Sequence, residues 1–183
     1  MCENVHTKGN DEDNNNNAGY DDADFPVTRK LPAEVGRNKL FLVCPLCQME
    51  NFIASRYDRA FFLTAPAAVF RFEQDESQII HEFILREHIT DVYLVAETSC
   101  NFTNLVLEAD GFSGRYCEFE IGKLKTDRDT IESLATKLLR YEAGKMQSRE
   151  IFREDFLSGK YALHLLLVSK QKQRMQEISL EEF

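Results

Sequence analysis

The spacing of apolar residues changes period several times along the chain, and these changes outline alternating helices and strands. All the regimes occur in succession between Ile79 and Leu107. Ile79, Ile80, Phe83, Ile84 and Leu85 recur at helical spacing and predict an amphipathic helix with these side chains on its buried stripe. His88-Ile89-Thr90 breaks that pattern. Residues 91–96, DVYLVA, then form a run of the kind buried on both faces of a parallel sheet. Glu97, Thr98, Ser99 and Cys100 follow, before Phe102, Leu105 and Val106 open a second helical pattern. In open parallel sheets the turn after a strand's carboxyl end is where ligands usually bind. Residues 97–101 are therefore the first place to look for chemistry.

The same reading extends to the rest of the chain. Residues 39–44 predict a first buried strand that ends in Pro45-Leu46-Cys47, with a short helix over 48–55. Residues 59–64 predict a second strand, ended by Pro66. Neither 67–72 nor 115–124 carries a clear period. A turn cluster at 110–114 closes the helix after the central strand. Residues 127–142 predict a helix with Ile131, Leu134, Ala135, Leu138 and Leu139 on one stripe and Asp127 or Thr130 as its cap. A shorter helix over 148–157 leads to a third apolar strand at 161–168, a polar turn at 170–174 and a last strand near 175–180. This alternation predicts a three-layer α/β fold around a mostly parallel sheet of four or five strands.

Composition narrows the function classes. Residues 1–24 are acidic and Asn-rich, with too little apolar surface to offset the entropy of ordering. They are expected to be a disordered tail, with 25–183 as a single domain. The remainder is globular in composition, the whole chain being 43% hydrophobic and 11% aromatic. A formal net charge of -9 and the lack of a basic patch argue against a nucleic-acid partner. No apolar run approaches the roughly eighteen residues of a membrane span, and the opening MCENVHTKGNDEDNNNN lacks the pattern of a secretory signal. Five cysteines do not fit a disulfide framework, so a cytoplasmic protein with reduced thiols is expected. Gly-rich phosphate loops and Gly-x-Ser-x-Gly elbows are missing from the sequence, which sets aside nucleotide-binding and serine-hydrolase readings.

The candidate chemistry lies in the cysteines. Cys44 and Cys47 close the first strand and Cys100 lies just past the central one. If those strands are neighbours, the three thiols converge at one edge of the sheet. Thiolates suit zinc, and Glu97, on the same turn as Cys100, is the candidate carboxylate ligand. Cys117, His81 and His88 are more distant candidates. Each also has a plain structural reading: packing for Cys117, a favourable carboxylate at a helix N-terminus for Glu97, and surface roles for His81 and His88. His164 reads as a hydrogen-bonded core histidine. The acidic groups Glu73, Asp75, Glu76, Asp127, Asp129 and Glu132 read as solvated faces and helix starts. Cys44-Pro45-Leu46-Cys47 after a strand is also a C-x-x-C, so a thiol redox pair of Cys44 and Cys47 is the alternative. A redox pair leaves Cys100 dispensable, whereas a metal site needs it.

The arrangement resembles the β-class carbonic anhydrases over roughly residues 38–180. In that family the first strand ends in Cys-x-Asp-x-Arg and a later one in Gly-His-x-x-Cys, and the two Cys and the His bind zinc. KLFLVCPLCQ stands where the first motif belongs and DVYLVAETSCN where the second does. AFFLTAPAAVF matches the second strand and loop, and REIFREDFLSGKYALHLLLVSKQKQRMQEI the late helix, strands and turn. The resemblance implies zinc as cofactor and a homodimer or a subunit of a larger assembly. Cys44 matches the first ligand and Cys100 the last, Glu97 replaces the His, and Leu46 and Gln48 replace the orienting Asp and Arg. A carboxylate beside two thiolates makes a metal-bound water less acidic, and no orienting dyad remains. The expectation is a zinc-binding or non-catalytic homologue without efficient CO2 hydration and with no catalytic residues. If the chain is an enzyme, it is a carbonic-anhydrase-type zinc lyase or hydrolase with an altered site.

Overall fold

Five short runs become strands; Phe61, Phe62 and Thr64 in the second and Ile89, Thr90, Val92, Tyr93 and Val95 in the third are residue types that favour a pleated surface. In the computed structural model, which describes residues 36–108 and 114–180, the strands are β1 (Asn38–Val43), β2 (Ala60–Thr64), β3 (Ile89–Glu97), β4 (Ala162–Ser169) and β5 (Arg174–Ile178). They form one sheet in the order β2-β1-β3-β4-β5. The first four are parallel, and β5 returns antiparallel to β4. The tail at 1–24 and the turn residues 110–113 lie outside the described residues.

Among the described residues six α-helices connect and cover the strands: α1 (Glu50–Ala54), α2 (Gln74–Arg86), α3 (Asn101–Glu108), α4 (Tyr116–Leu124), α5 (Ile131–Ser148) and α6 (Glu150–Leu157). The buried stripe of α2 is narrower than its sequence promised. Ser77, Ile80 and Ile84 are buried, whereas Ile79 is 66% and Leu85 39% exposed. Adjacent apolar residues on a helix point about 100° apart, so a run of this density cannot all face the sheet. The start of α5 is set by Thr130. Its hydroxyl accepts the Ser133 N–H at 3.2 Å, and its own N–H donates to Ser133 Oγ at 2.9 Å, forming a reciprocal cap. The helix then runs past Glu142 to Ser148, because Ala143 and Met146 continue the buried stripe.

Alternate residues of the central strands serve two cores, one on each face of the sheet. Leu40, Leu42, Val92, Leu94 and Leu165 pack with residues of α2, α5 and α6. Phe41, Val43, Tyr93, Val95 and Leu166 pack on the opposite face with residues of α1, α3 and α4. On that second face a column of rings crosses four strands in register. Phe62, Phe41, Tyr93 and His164 are consecutive partners. Their centroids are 5.7, 4.6 and 4.5 Å apart, and interplanar angles fall to 13° and 16° at the Phe41–Tyr93 and Tyr93–His164 contacts. His164 closes the column between the carboxylates of Asp91, at 3.2 Å, and Glu177, at 2.8 Å. It is hydrogen-bonded, as its sequence reading expected, although its side chain is 24% exposed.

Phe41 is fully buried at the centre of the column. Phe41→Ala is expected to cost about 3–5 kcal/mol of folding stability, measurable as a lowered midpoint in urea unfolding with an unchanged slope.

Candidate metal centre

The site forms where β1 and β3 end side by side. The two strands pair in parallel through Leu42 and Leu94, so the turns beyond them emerge at the same edge of the sheet. After β1, Cys44 is still extended (φ -82, ψ 125), and Pro45 opens a 3₁₀ turn over Pro45–Cys47. The fixed φ of proline suits that first position. The Cys47 N–H donates to the Cys44 carbonyl at 3.1 Å, closing the turn. Gln48 (φ 49, ψ 51) reverses the chain in the left-handed region. After β3, the Cys100 N–H donates to the Glu97 carbonyl at 3.1 Å, and the Cys100 carbonyl accepts from Asn104 in the first turn of α3.

The two turns bring Cys44, Cys47 and Cys100 together. Their sulfur atoms all lie within 4.8 Å of one another, and the residues are 4%, 6% and 4% exposed. Zinc–thiolate bonds of about 2.3 Å separate tetrahedral sulfurs by about 3.8 Å, so the three donors fit a metal of that kind with little closing-in. The thiols are unequal. Hydrogen bonds from Cys100 and Cys47 hold Cys44 far below the usual thiol range, helped by backbone N–H groups including that of Ala67, 3.2 Å from the sulfur. The Cys47 thiol is pushed up by its contacts with Cys100 and Cys44 and then by burial. The Cys100 thiol is also pushed up, chiefly by Cys44. One proton therefore leaves the group readily and the others do not, as expected of thiols crowded together in a buried site.

The sulfur group does not include the other residues singled out from sequence. Glu97 is 3% exposed, and its carboxylate is engaged by Ser99 and the backbone of Lys170. Cys117 is buried in the same core face as the three thiols, and burial raises its pKa. His81 binds Asp155 at 2.8 Å across α2 and α6. His88 takes a left-handed conformation (φ 50) between α2 and β3. Leu46, where the resemblance places an aspartate, is 60% exposed at the tip of the Cys44–Cys47 turn. Sequence reasoning missed two groups near the thiols. One is Lys170, whose ammonium donates to the Cys47 carbonyl. The other is the strap between β2 and α2, where Ala67 and Ala68 (both φ 57) and Phe72 (φ 51) are left-handed. Non-glycine residues in that region carry strain, which clusters near functional sites.

A five-stranded, mostly parallel sheet with thiols converging at the carboxyl ends of its central strands defines the class: this is the β-carbonic anhydrase fold. No family model matches the chain, and no curated protein matches it by sequence. Solved structures do. The β-carbonic anhydrase CafA of Aspergillus fumigatus superposes with a TM-score of 0.66 at 13% identity, covering 80% of this chain and 77% of that one. Wild-type CafD, a β-carbonic anhydrase from the same fungus, gives a TM-score of 0.63 at 11% identity, over 81% and 94% of the two chains. A structure from work on two tetrameric β-carbonic anhydrases of Sordaria macrospora gives 0.62 at 12% identity, over 78% and 81%.

A buried charge cluster holds the strap that delivers Ala67 to Cys44. Glu142 on α5 accepts the Phe70 N–H at 3.1 Å and lies 2.7 Å from the Lys145 ammonium, which itself donates to the Phe70 carbonyl at 2.6 Å. Beside Glu142 is a cavity of about 10 Å³ lined by Ala67, Ala68, Leu94 and Ala96. Burial pushes the Glu142 carboxyl up to about 7 despite the lysine. The folded chain thus keeps this proton up to about pH 7, whereas the unfolded chain releases it near pH 4.3. The contribution of Glu142 to stability is full below pH 4 and declines as pH rises toward 7, by on the order of 3 kcal/mol. Glu142→Gln keeps an acceptor for Phe70 and removes the titration. Its stability relative to the wild type should rise from pH 5 to pH 8 in parallel urea titrations.

Proposed function

We propose that this chain is a β-carbonic-anhydrase-fold protein that holds zinc on Cys44, Cys47 and Cys100 and does not hydrate CO2 efficiently. The convergence of three buried sulfurs carries the reading. Cys47 supplies the donor that the resemblance assigns to a histidine at the position of Glu97. When bound, the metal would act as a Lewis acid and as a crosslink between the two turns. Three thiolates donate more charge to a cation than two thiolates and an imidazole do, so less Lewis acidity remains. The residues around it offer little to a CO2 hydration step. Leu46 and Gln48 bring no charge to orient a substrate, and the Glu97 carboxylate is occupied by Ser99.

Metal analysis of untagged protein purified without chelators should find about one zinc per chain. The metal should be lost in Cys44→Ser, Cys47→Ser and Cys100→Ser alike. Stopped-flow hydration should stay well below a kcat/KM of about 10⁶ M⁻¹s⁻¹; a value above that would instead establish an active lyase with an altered site. Metal-free protein that reversibly loses two hydrogens between Cys44 and Cys47, with Cys100 dispensable, would establish the redox reading. Buried, unpaired thiols at all four described cysteines favour a reducing, cytoplasmic setting, and no described helix is long and apolar enough to cross a membrane.

The assembly proposed is a homodimer built on β2. Among the described residues no strand pairs with the outer edge of β2, where Phe61, Phe62 and Leu63 are only half-buried. An apolar edge of this kind is normally covered, and a second copy covers it symmetrically. Relatives from Sordaria macrospora are described as tetrameric. Leu63→Lys should shift the species seen by analytical ultracentrifugation to monomer; an unchanged dimer would place the interface elsewhere.

A further inference from the structure

The turn between β4 and β5 reaches back over the thiol site. Lys170, the first residue after β4, makes two contacts there. Its ammonium donates to the Cys47 carbonyl, and its backbone N–H points to Glu97 Oε1 at 3.5 Å. The other carboxylate oxygen of Glu97 accepts the Ser99 N–H at 3.1 Å and the Ser99 hydroxyl at 2.5 Å, which sets the turn leading into Cys100. The Thr98 N–H donates to the Val168 carbonyl at 2.9 Å, and Arg56, just beyond α1, binds Gln173 at 3.1 Å. One hairpin end therefore grips both thiol-bearing turns, the Cys47 turn through Lys170 and the Cys100 turn through Glu97.

The two grips differ in what they supply. A turn of three residues has little internal hydrogen bonding, so the position of Cys47 depends on what holds its carbonyl. Lys170 does this with a full charge, and a charge-assisted bond is about twice as strong as a neutral one. A buried carboxylate such as Glu97 needs donors to be tolerated at all, and those it has come from the Cys100 turn and from Lys170.

We propose that Glu97 and Lys170 form a clamp that fixes the spacing between the Cys47 and Cys100 turns, acting as positioning residues for the thiol site without donating to the metal. The proposal rests on the zinc reading for its consequence and on the hydrogen bonds for its existence, so it is tested on both. The variants are Lys170→Met, which keeps the aliphatic stem, Lys170→Arg, Glu97→Gln and, as the ligand benchmark, Cys47→Ser. Zinc affinity is measured by competition with a chromophoric chelator. Alkylation of Cys47 in metal-free, reduced protein is followed by peptide mass spectrometry relative to Cys117, which lies outside the clamp and reports any general loosening.

Lys170→Met should weaken zinc binding about 10–100-fold and raise the Cys47-to-Cys117 alkylation ratio several-fold, with Lys170→Arg restoring most of both. Glu97→Gln should still bind one zinc, more weakly, where Cys47→Ser binds none. Loss of zinc from Glu97→Gln as complete as from Cys47→Ser would make Glu97 a ligand and overturn the proposal. An alkylation ratio in Lys170→Met equal to that of the wild type would overturn it as well. Should the wild type bind no zinc, the zinc reading fails by itself, and the alkylation ratio still decides whether the clamp exists.

Discussion

The pairing of β1 with β3, in parallel and at the centre of the sheet, sets where everything else can be. Both strands are buried on both faces, so each must alternate its side chains between two separate cores. Their carboxyl ends then open at one edge, and whatever the next few residues carry is brought together there. Cys44 and Cys47 follow one strand and Cys100 the other, a chain separation of more than fifty residues reduced to a sulfur group within 4.8 Å. The helices enter this arrangement as covers: α2 and α6 on one face, α1, α3 and α4 on the other, with α5 contributing to both cores.

The sheet was legible in the sequence because a strand buried on both faces leaves an uninterrupted apolar signature. KLFLVC, DVYLVA and YALHLLLV needed no knowledge of their partners to be read as strands. The convergence of Cys44, Cys47 and Cys100 followed from placing two such strands side by side. What stayed hidden is α4. Its buried residues are Cys117, Glu118, Glu120 and Ile121, so half of its inward face is carboxylate and the apolar period vanishes. Those carboxylates are tolerated because Arg115 binds Glu118 at 3.0 Å, while Lys123 and Tyr141 bind Glu120 at 2.6 and 2.7 Å. Tyr141, which comes from the next helix, cannot be read from local spacing. Lys170 escaped notice for the same reason, since its side-chain contact spans 123 positions of sequence.

Charge burial in α4 and α5 has a counterpart in the strap between β2 and α2. Ala67, Ala68 and Phe72 all lie in the left-handed region, where side-chain-bearing residues cost roughly 1–2 kcal/mol each. The strap persists in that form because its polar backbone atoms are claimed. Phe70 is held by Glu142 and Lys145, and the Phe72 N–H donates to Glu76 at 2.6 Å. The upstream end then presents the Ala67 N–H to the Cys44 sulfur. Glu142 and Lys145 on one helix thus steady a backbone donor at a sulfur on another element.

The ring column has a meaning beyond packing. Side chains alternate faces along a strand, so a slip of one residue in any of the four strands would turn its ring out of the column and into the other core. A mispaired sheet would therefore break the stack and press a ring into the opposite core, where Phe70, Phe72 and Phe152 already pack, a fault heavy enough to undo the pairing. Phe62, Phe41, Tyr93 and His164 act as an alignment pin for the sheet. Because β1 and β3 must agree in height for their end turns to meet, the pin in the middle of the strands also keeps the sulfurs level at their ends.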